Sequence, residues 1–194
     1  DAIDAAGKAI LDGRFHDQFN VDRYQGGAGT STNMNANEVM ANVGLELTGH
    51  KKGEYSILQP HDHLNMSQST NDAYPTALKV AILRSNDKLV PALHELARSF
   101  RIKGDAFLHI VKMGRTEMQD AVPMTLGQEF SAYASTIKDG IRYIERAAEE
   151  FLDINMGATA VGTGINSPPG YAELCTMHLS DVSGLPVRIA ENLV

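Results

Sequence analysis

The sequence predicts a mostly α fold, a bundle of long helices joined by short loops or strands. Two apolar series and one recurrent pattern predict it. Leu78, Ile82, Leu89, Leu93, Leu96 and Phe100 follow steps of three and four, with Ser85 in the single gap. Phe130, Tyr133, Ile137, Ile141, Ile144, Ala148 and Phe151 do the same without a gap. Three times, a polar loop runs directly into an amphipathic helix. With 194 residues, 43% of them hydrophobic and 21% charged, the chain can bury a core.

In chain order, Asp1 to Leu11 reads as a short helix on Ile3, Ala6 and Ile10, stopped near Gly13. It carries no start signal, as though the chain began further upstream. Gly26-Gly27-Ala28-Gly29-Thr30-Ser31-Thr32-Asn33 is the first polar loop, followed by a helix on Ala36, Met40, Val43 and Leu47 that Gly49 closes. As a phosphate cradle this loop is weak, because no Gly-Lys-Ser/Thr follows and no strand precedes it. Asn33, Asn35 and Asn37 alternate at the helix start, placed either to cap it or to project towards a ligand.

Lys51 to Asn65 reads as a loop containing Pro60-His61-Asp62-His63. His-x-His offers two metal ligands, but no third ligand with metal-site spacing accompanies it, so no metal is expected. The second polar loop is Ser67-Gln68-Ser69-Thr70-Asn71-Asp72-Ala73-Tyr74-Pro75. Pro75 suits a first helical turn, and the helix is expected from about Pro75 to Ile102, kinked or broken at Pro91. Gly104 to Lys112 is a break. The third polar loop, Gly114 to Pro123, precedes Thr125-Leu126-Gly127-Gln128, whose spacing is that of a capping box. The small residues Gly157 to Gly164 suit a tight loop or a short extended piece. A last helix is expected around Ala172 to Val182, ending at Ser183-Gly184.

A formal charge of −7 and a pI near 5.4 argue against a nucleic-acid or anionic-membrane surface. The single cysteine, Cys175, excludes an internal disulfide and fits a reducing compartment. No apolar run approaches the ~20 residues of a membrane span, and Asp1-Ala2-Ile3-Asp4 lacks the basic start of a signal peptide. A soluble cytoplasmic protein is the expectation.

Hydroxyls and amides at helix starts lie beside unpaired N–H groups and the positive end of the helix dipole, which suits a carboxylate or phosphate. One reading is three ordinary caps, since Ser, Thr, Asn and Asp all cap helices well. The other is that the loops converge on one anion. Such a site has many neutral donors and one cation, Arg115, and it strengthens its hold if more charge develops on a bound carboxylate. Proton abstraction beside a carboxylate is chemistry of that kind.

At these residues the chain resembles the aspartase/fumarase superfamily. Gly26 to Val39, Gln68 to Pro75 and Gly114 to Pro123 are similar to three of its motifs. Gly27-Ala28-Gly29-Thr30-Ser31-Thr32-Asn33, where fumarases usually carry Gly-Ser-Gly-Thr-Gln-Ser-Asn, resembles the aspartase branch, as do Lys51 to Tyr55 and Gly157 to Gly164. The resemblance implies elimination of ammonia from L-aspartate to give fumarate, through an aci-carboxylate and without an organic cofactor. It implies a homotetramer whose active sites combine segments of three subunits, so that within one subunit the site residues are expected in separate clusters. It also implies that residues 1–69 belong to an N-terminal domain and 70–194 begin a central helical domain. Thr30, Ser69 and Thr70 would hold the β-carboxylate, and Asn71 and Thr116 would face the amino group and α-carboxylate. Glu117 stands where relatives have His or Gln, placed either to pair with the substrate ammonium or merely to be tolerated at that position. Pro60 to His63 matches a loop that forms a secondary carboxylate site in fumarases, with His61-Asp62 where those enzymes have Asn-Asp. The family's Gly-Ser-Ser-x-x-Pro-x-Lys-x-Asn loop, which carries the serine base, is absent from these residues, and so is its N-terminal segment. The expectation is an internal piece with no catalytic residue of its own. The alternatives are a fumarase or another lyase of the superfamily, or a non-catalytic helical anion-binding or structural protein, since lens crystallins are among the relatives.

Overall fold

The computed structural model describes residues 1–22, 24 and 27–194, and Gly26 of the first motif lies outside them. The fold is mostly helical, as expected. Two compact units divide the chain: Asp1–Lys79 with Leu152–Val194, and Val80–Phe151.

In the first unit, α1 (Ala2–Leu11) packs on α2 (Thr30–Leu47) through Ala6, Ala9, Val39 and Val43, with Ile10 and Phe15 against them. Asp1 supplies the start signal that its neighbours lack: its carboxylate accepts from the N–H groups of Ile3 and Asp4. Pro60–Leu64 forms one turn of π-helix where a loop was expected. The Gln59 side chain caps it by accepting from Asp62 N–H at 2.6 Å and from His61 N–H. Two-residue strands β3 (Asp153–Ile154) and β4 (Arg188–Ile189) pair in parallel. Between them α5 (Tyr171–Ser183) ends on Gly184 in the left-handed region, as the sequence predicts.

The helix expected from Pro75 is α3 (Thr70–Ala106), which begins at Thr70 and runs unbroken through Pro91. Two corrections follow: Thr70 to Tyr74 are helix rather than loop, and the chain breaks neither at Pro91 nor at Gly104. Pro75 lacks the N–H that would bond the Asn71 carbonyl four residues back. That carbonyl accepts instead from Asn155 Nδ2 at 3.1 Å.

In the second unit, which begins at Val80 within α3, the end of α3 packs on the start of α4 (Leu126–Glu150). Phe100, Phe107, Phe130 and Tyr133 form an aromatic cluster with ring centroids 5.4–6.0 Å apart. Thr125 caps α4, and the reciprocal bonds with Gln128 are both present, as the spacing predicts. The third polar loop is an antiparallel hairpin, β1 (Val111–Thr116) with β2 (Gln119–Thr125). Its two-residue turn is Glu117-Met118, both at positive φ. Turns of this kind favour Asn-Gly, so no local signal marks a hairpin here. Lys112 of β1 pairs with Glu129 of α4 at 2.7 Å and holds its carboxyl below the usual range.

Candidate functional site

Two of the three polar segments meet within the first unit. α2 starts at Gly29, which sits at φ +88 with no side-chain cap. A Cβ at this position would lie 2.4 Å from the Tyr74 ring, so the close approach of the α2 N-terminus to α3 requires glycine. α3 starts at Ser69, whose Oγ accepts from Asn71 N–H at 3.2 Å while its own N–H donates to Asp72 Oδ1 at 2.9 Å. This is a variant of the capping box in Ser-x-x-Asp spacing, with the serine oxygen on the second rather than the third helical N–H, and it explains why the helix begins at Thr70.

Asp72 is fully buried, and its second oxygen accepts from Thr159 N–H at 2.9 Å. Asn71 makes a parallel tie through Nδ2 to the Ala160 carbonyl at 2.8 Å. The start of α3 is thereby stapled to the small-residue segment after β3. Burial pushes the Tyr171 hydroxyl and the Cys175 thiol up, and the charge of Asp72 adds to both. Neither group is a base near neutral pH.

Thr30, Ser69 and Thr70 line one open cleft of about 550 Å³. The expectation of separate clusters is corrected for these three. Asn33 on the first turn of α2 donates to Thr70 Oγ1 and to Asn65 Oδ1, both at 3.1 Å, and so ties the two helix starts together. Asn37 donates to the same Asn65 oxygen at 3.2 Å. Asn35 turns elsewhere, to the Gln18 carbonyl. Ser67 and Thr159, two non-glycine residues at positive φ, also line the cleft, a strain that tends to gather at functional sites. His61 and Asp62 line it too, while among the described residues no lysine or arginine does. The cleft offers neutral donors and helix N-termini, and these favour an anion without a fixed cation.

Asn71 faces Ala160 and is not among the lining residues. Thr116 and Glu117 belong to the hairpin of the second unit, where Thr116 pairs with Gln119 and Glu117 forms the turn. Arg115 is paired with Asp120 at 3.0 Å. The sequence reading passed over Asn65, Asp72 and Thr159. Ser-x-x-Asp before an apolar run could have revealed Asp72, but no local pattern marks the other two.

The long helices and the hydroxyl- and amide-lined cleft define a mostly helical protein with a polar cleft at two helix starts. The chain belongs to the lyase family, whose model matches residues 1–194. It is 53% identical over 192 residues to the aspartate ammonia-lyase of Escherichia coli K12, covering 99% of this chain and 40% of that protein. It is 50% identical over 193 residues to the aspartate ammonia-lyase of Bacillus subtilis, covering 100% of this chain and 41% of that one. Among solved structures it resembles the fumarate lyase/delta crystallin of Brucella melitensis bound to cobalt, with a TM-score of 0.93 and 50% identity over 100% of this chain and 42% of that one. It also resembles the class II fumarase of Schistosoma mansoni, with a TM-score of 0.85 and 34% identity over 99% and 43%. The chain thus spans about 40% of the length of the curated relatives it matches. Among the described residues, no helix is long and apolar enough to cross a membrane.

Proposed function

We propose that this chain is part of a cytoplasmic aspartate ammonia-lyase that converts L-aspartate to fumarate and ammonia. The observation that carries the proposal is the meeting of Thr30, Ser69 and Thr70 at two helix starts around one cleft, in a chain half identical to aspartate ammonia-lyases. The β-carboxylate binds to these hydroxyls and to the N-terminus of α2, which has no side-chain cap. A base takes the proton from C3, and its electron pair moves onto the β-carboxylate, which becomes a doubly charged aci-carboxylate. Return of those electrons forms the C2–C3 double bond and expels ammonia from C2. Neutral donors aimed at the carboxylate stabilise this intermediate more than the ground state. Asn71, Thr116 and Glu117 serve the amino group and α-carboxylate, with the hairpin contributed from another subunit of a homotetramer. Residues 1–69 fall in the N-terminal domain of that protein, and 70–194 begin the helical one. In the full-length protein, fumarate absorbance is expected to rise with aspartate and not with malate; the reverse preference would make it a fumarase.

The C3 proton is very weakly acidic, so charge stabilisation without a positioned base is insufficient. We place the base on a serine-bearing loop outside these residues. The 194-residue chain, folded by circular dichroism, is therefore expected to yield no fumarate from aspartate. Turnover abolished by Glu117→Gln would move the base to Glu117.

A homotetramer also needs apolar helix faces to cover. Leu89 and Leu96 of α3, 45% and 41% exposed, lie seven residues apart on one side of the helix, and Tyr143 of α4 is 69% exposed. Sedimentation velocity is expected to show self-association, and a compact monomer at all concentrations would count against the tetramer.

A further inference from the structure

We propose that Asn33 is a positioning residue that fixes the Thr70 hydroxyl as a hydrogen-bond donor into the cleft. The proposal rests on the reading of Thr70 as a carboxylate-binding group and adds what sets the direction of its proton.

The chain of bonds begins at a carbonyl, which can only accept. Gln68 C=O receives Asn65 Nδ2 at 3.3 Å, so the Asn65 amide must turn its oxygen the other way. That oxygen accepts from Asn33 Nδ2 at 3.1 Å and from Asn37 Nδ2 at 3.2 Å. Asn37 Nδ2 also donates to the Asn33 carbonyl at 3.0 Å, which seats it against the same turn of α2. With its nitrogen fixed towards Asn65, Asn33 spends its second N–H on Thr70 Oγ1 at 3.1 Å. Thr70 Oγ1 has one proton and two lone pairs, and Asn33 occupies a lone pair. The hydroxyl proton is therefore directed away from Asn33, and the cleft is what Thr70 lines. The backbone of Gln68 thus sets, through two amides, the polarity of a hydroxyl two residues along the chain at the start of α3.

Thr30 shows what the relay avoids. Its hydroxyl donates to the Gly27 carbonyl at 2.9 Å and must break that bond before it can donate to a ligand. Thr70 has no such bond to break among the described residues. A pre-aimed donor needs no reorganisation as charge develops on the bound carboxylate, and that is where such a donor is worth most.

Reversing the polarity tests this. With Asn33→Asp, an ionised carboxylate can only accept, so the Thr70 proton turns towards it and only lone pairs face the substrate. In the full-length protein, Asn33→Asp is expected to lower kcat/KM for aspartate by about 10- to 100-fold, and Thr70→Val by a similar factor. The further loss caused by Asn33→Asp is expected to be at least about threefold smaller in the Thr70→Val background than in the native one, since the direct effect of the added charge is the same in both and only the part acting through Thr70 is lost. Asn33→Ala removes the partner without reversing it and is expected to cost less than Asn33→Asp. The Asn33→Asp deficit is also expected to shrink as pH falls and the introduced carboxyl gains a proton to donate, which a purely structural defect would not do. Multiplying losses in the double variant, or Asn33→Ala as damaging as Asn33→Asp, would overturn the relay while leaving Thr70 in the site. An inert Thr70→Val would overturn both readings. If Asn33→Asp does not fold, the cycle between Asn33→Ala and Thr70→Val reads the same coupling, and independence of the two overturns the relay.

Discussion

Replacing Thr70 with alanine in the full-length protein is expected to lower kcat/KM for aspartate by about 10- to 1000-fold while the protein stays folded. The side chain sits on the first turn of α3, half-buried, with its oxygen accepting from Asn33. Little of the fold depends on its methyl, and the Ser69–Asp72 capping box that starts the helix remains. What is lost is one donor whose bond strengthens as the β-carboxylate takes up a second charge. Ser69, Thr30 and the N-terminus of α2 still bind the singly charged carboxylate. The loss should therefore fall more on kcat than on KM, as for any interaction made mainly in the transition state. Steady-state measurement of fumarate absorbance separates the two parameters. Unchanged kinetics would remove Thr70 from the substrate shell.

The second large effect concerns stability. Gly127 sits on the first turn of α4, where its N–H donates to the Phe107 carbonyl at 3.0 Å. A Cβ there would lie 2.3 Å from the Gly104 carbonyl oxygen, 2.7 Å from Leu108 N and 2.8 Å from Leu108 Cα. All three are backbone atoms, so no side chain can swing aside and α3 and α4 would have to separate. Gly127→Ala is expected to destabilise by about 3 kcal/mol or more, at or beyond the upper end of ordinary overpacking. The aromatic cluster of Phe100, Phe107 and Phe130 lies at the same crossing and would lose its packing as well. Gly140 lies in the same helix with nothing within 4 Å of an added Cβ. There, alanine is expected to stabilise by about 0.5–1 kcal/mol through its better helix propensity. Urea unfolding followed by circular dichroism reads both. A Gly127→Ala midpoint at or above that of Gly140→Ala would show that the crossing is not tight.

The sequence by itself determined the helical class, the cores of α2 to α5 and the Thr125 cap, because three-four periodicity and capping chemistry are local. It placed the starts of α2 and α3 too late for the same reason. Thr30 to Asn33 and Thr70 to Tyr74 are polar enough to read as loop, and only the left-handed Gly29 and the Ser69–Asp72 box bring them into helices. The hairpin was hidden because its turn is Glu117-Met118, residues that take positive φ only when the surrounding structure holds them there. The two-residue pairing of β3 with β4 joins segments more than thirty residues apart, and strands so short carry no periodicity. The sequence also named Thr30, Ser69 and Thr70, but not which of them share a cleft. That was decided by tertiary structure: the approach of Gly29 to Tyr74, the amide chain from Gln68 through Asn65 and Asn33 to Thr70, and the buried Asp72 that reaches Thr159. Each joins groups brought together by packing, and the direction of a hydrogen bond depends on every partner at once, so no local pattern in the chain encodes it.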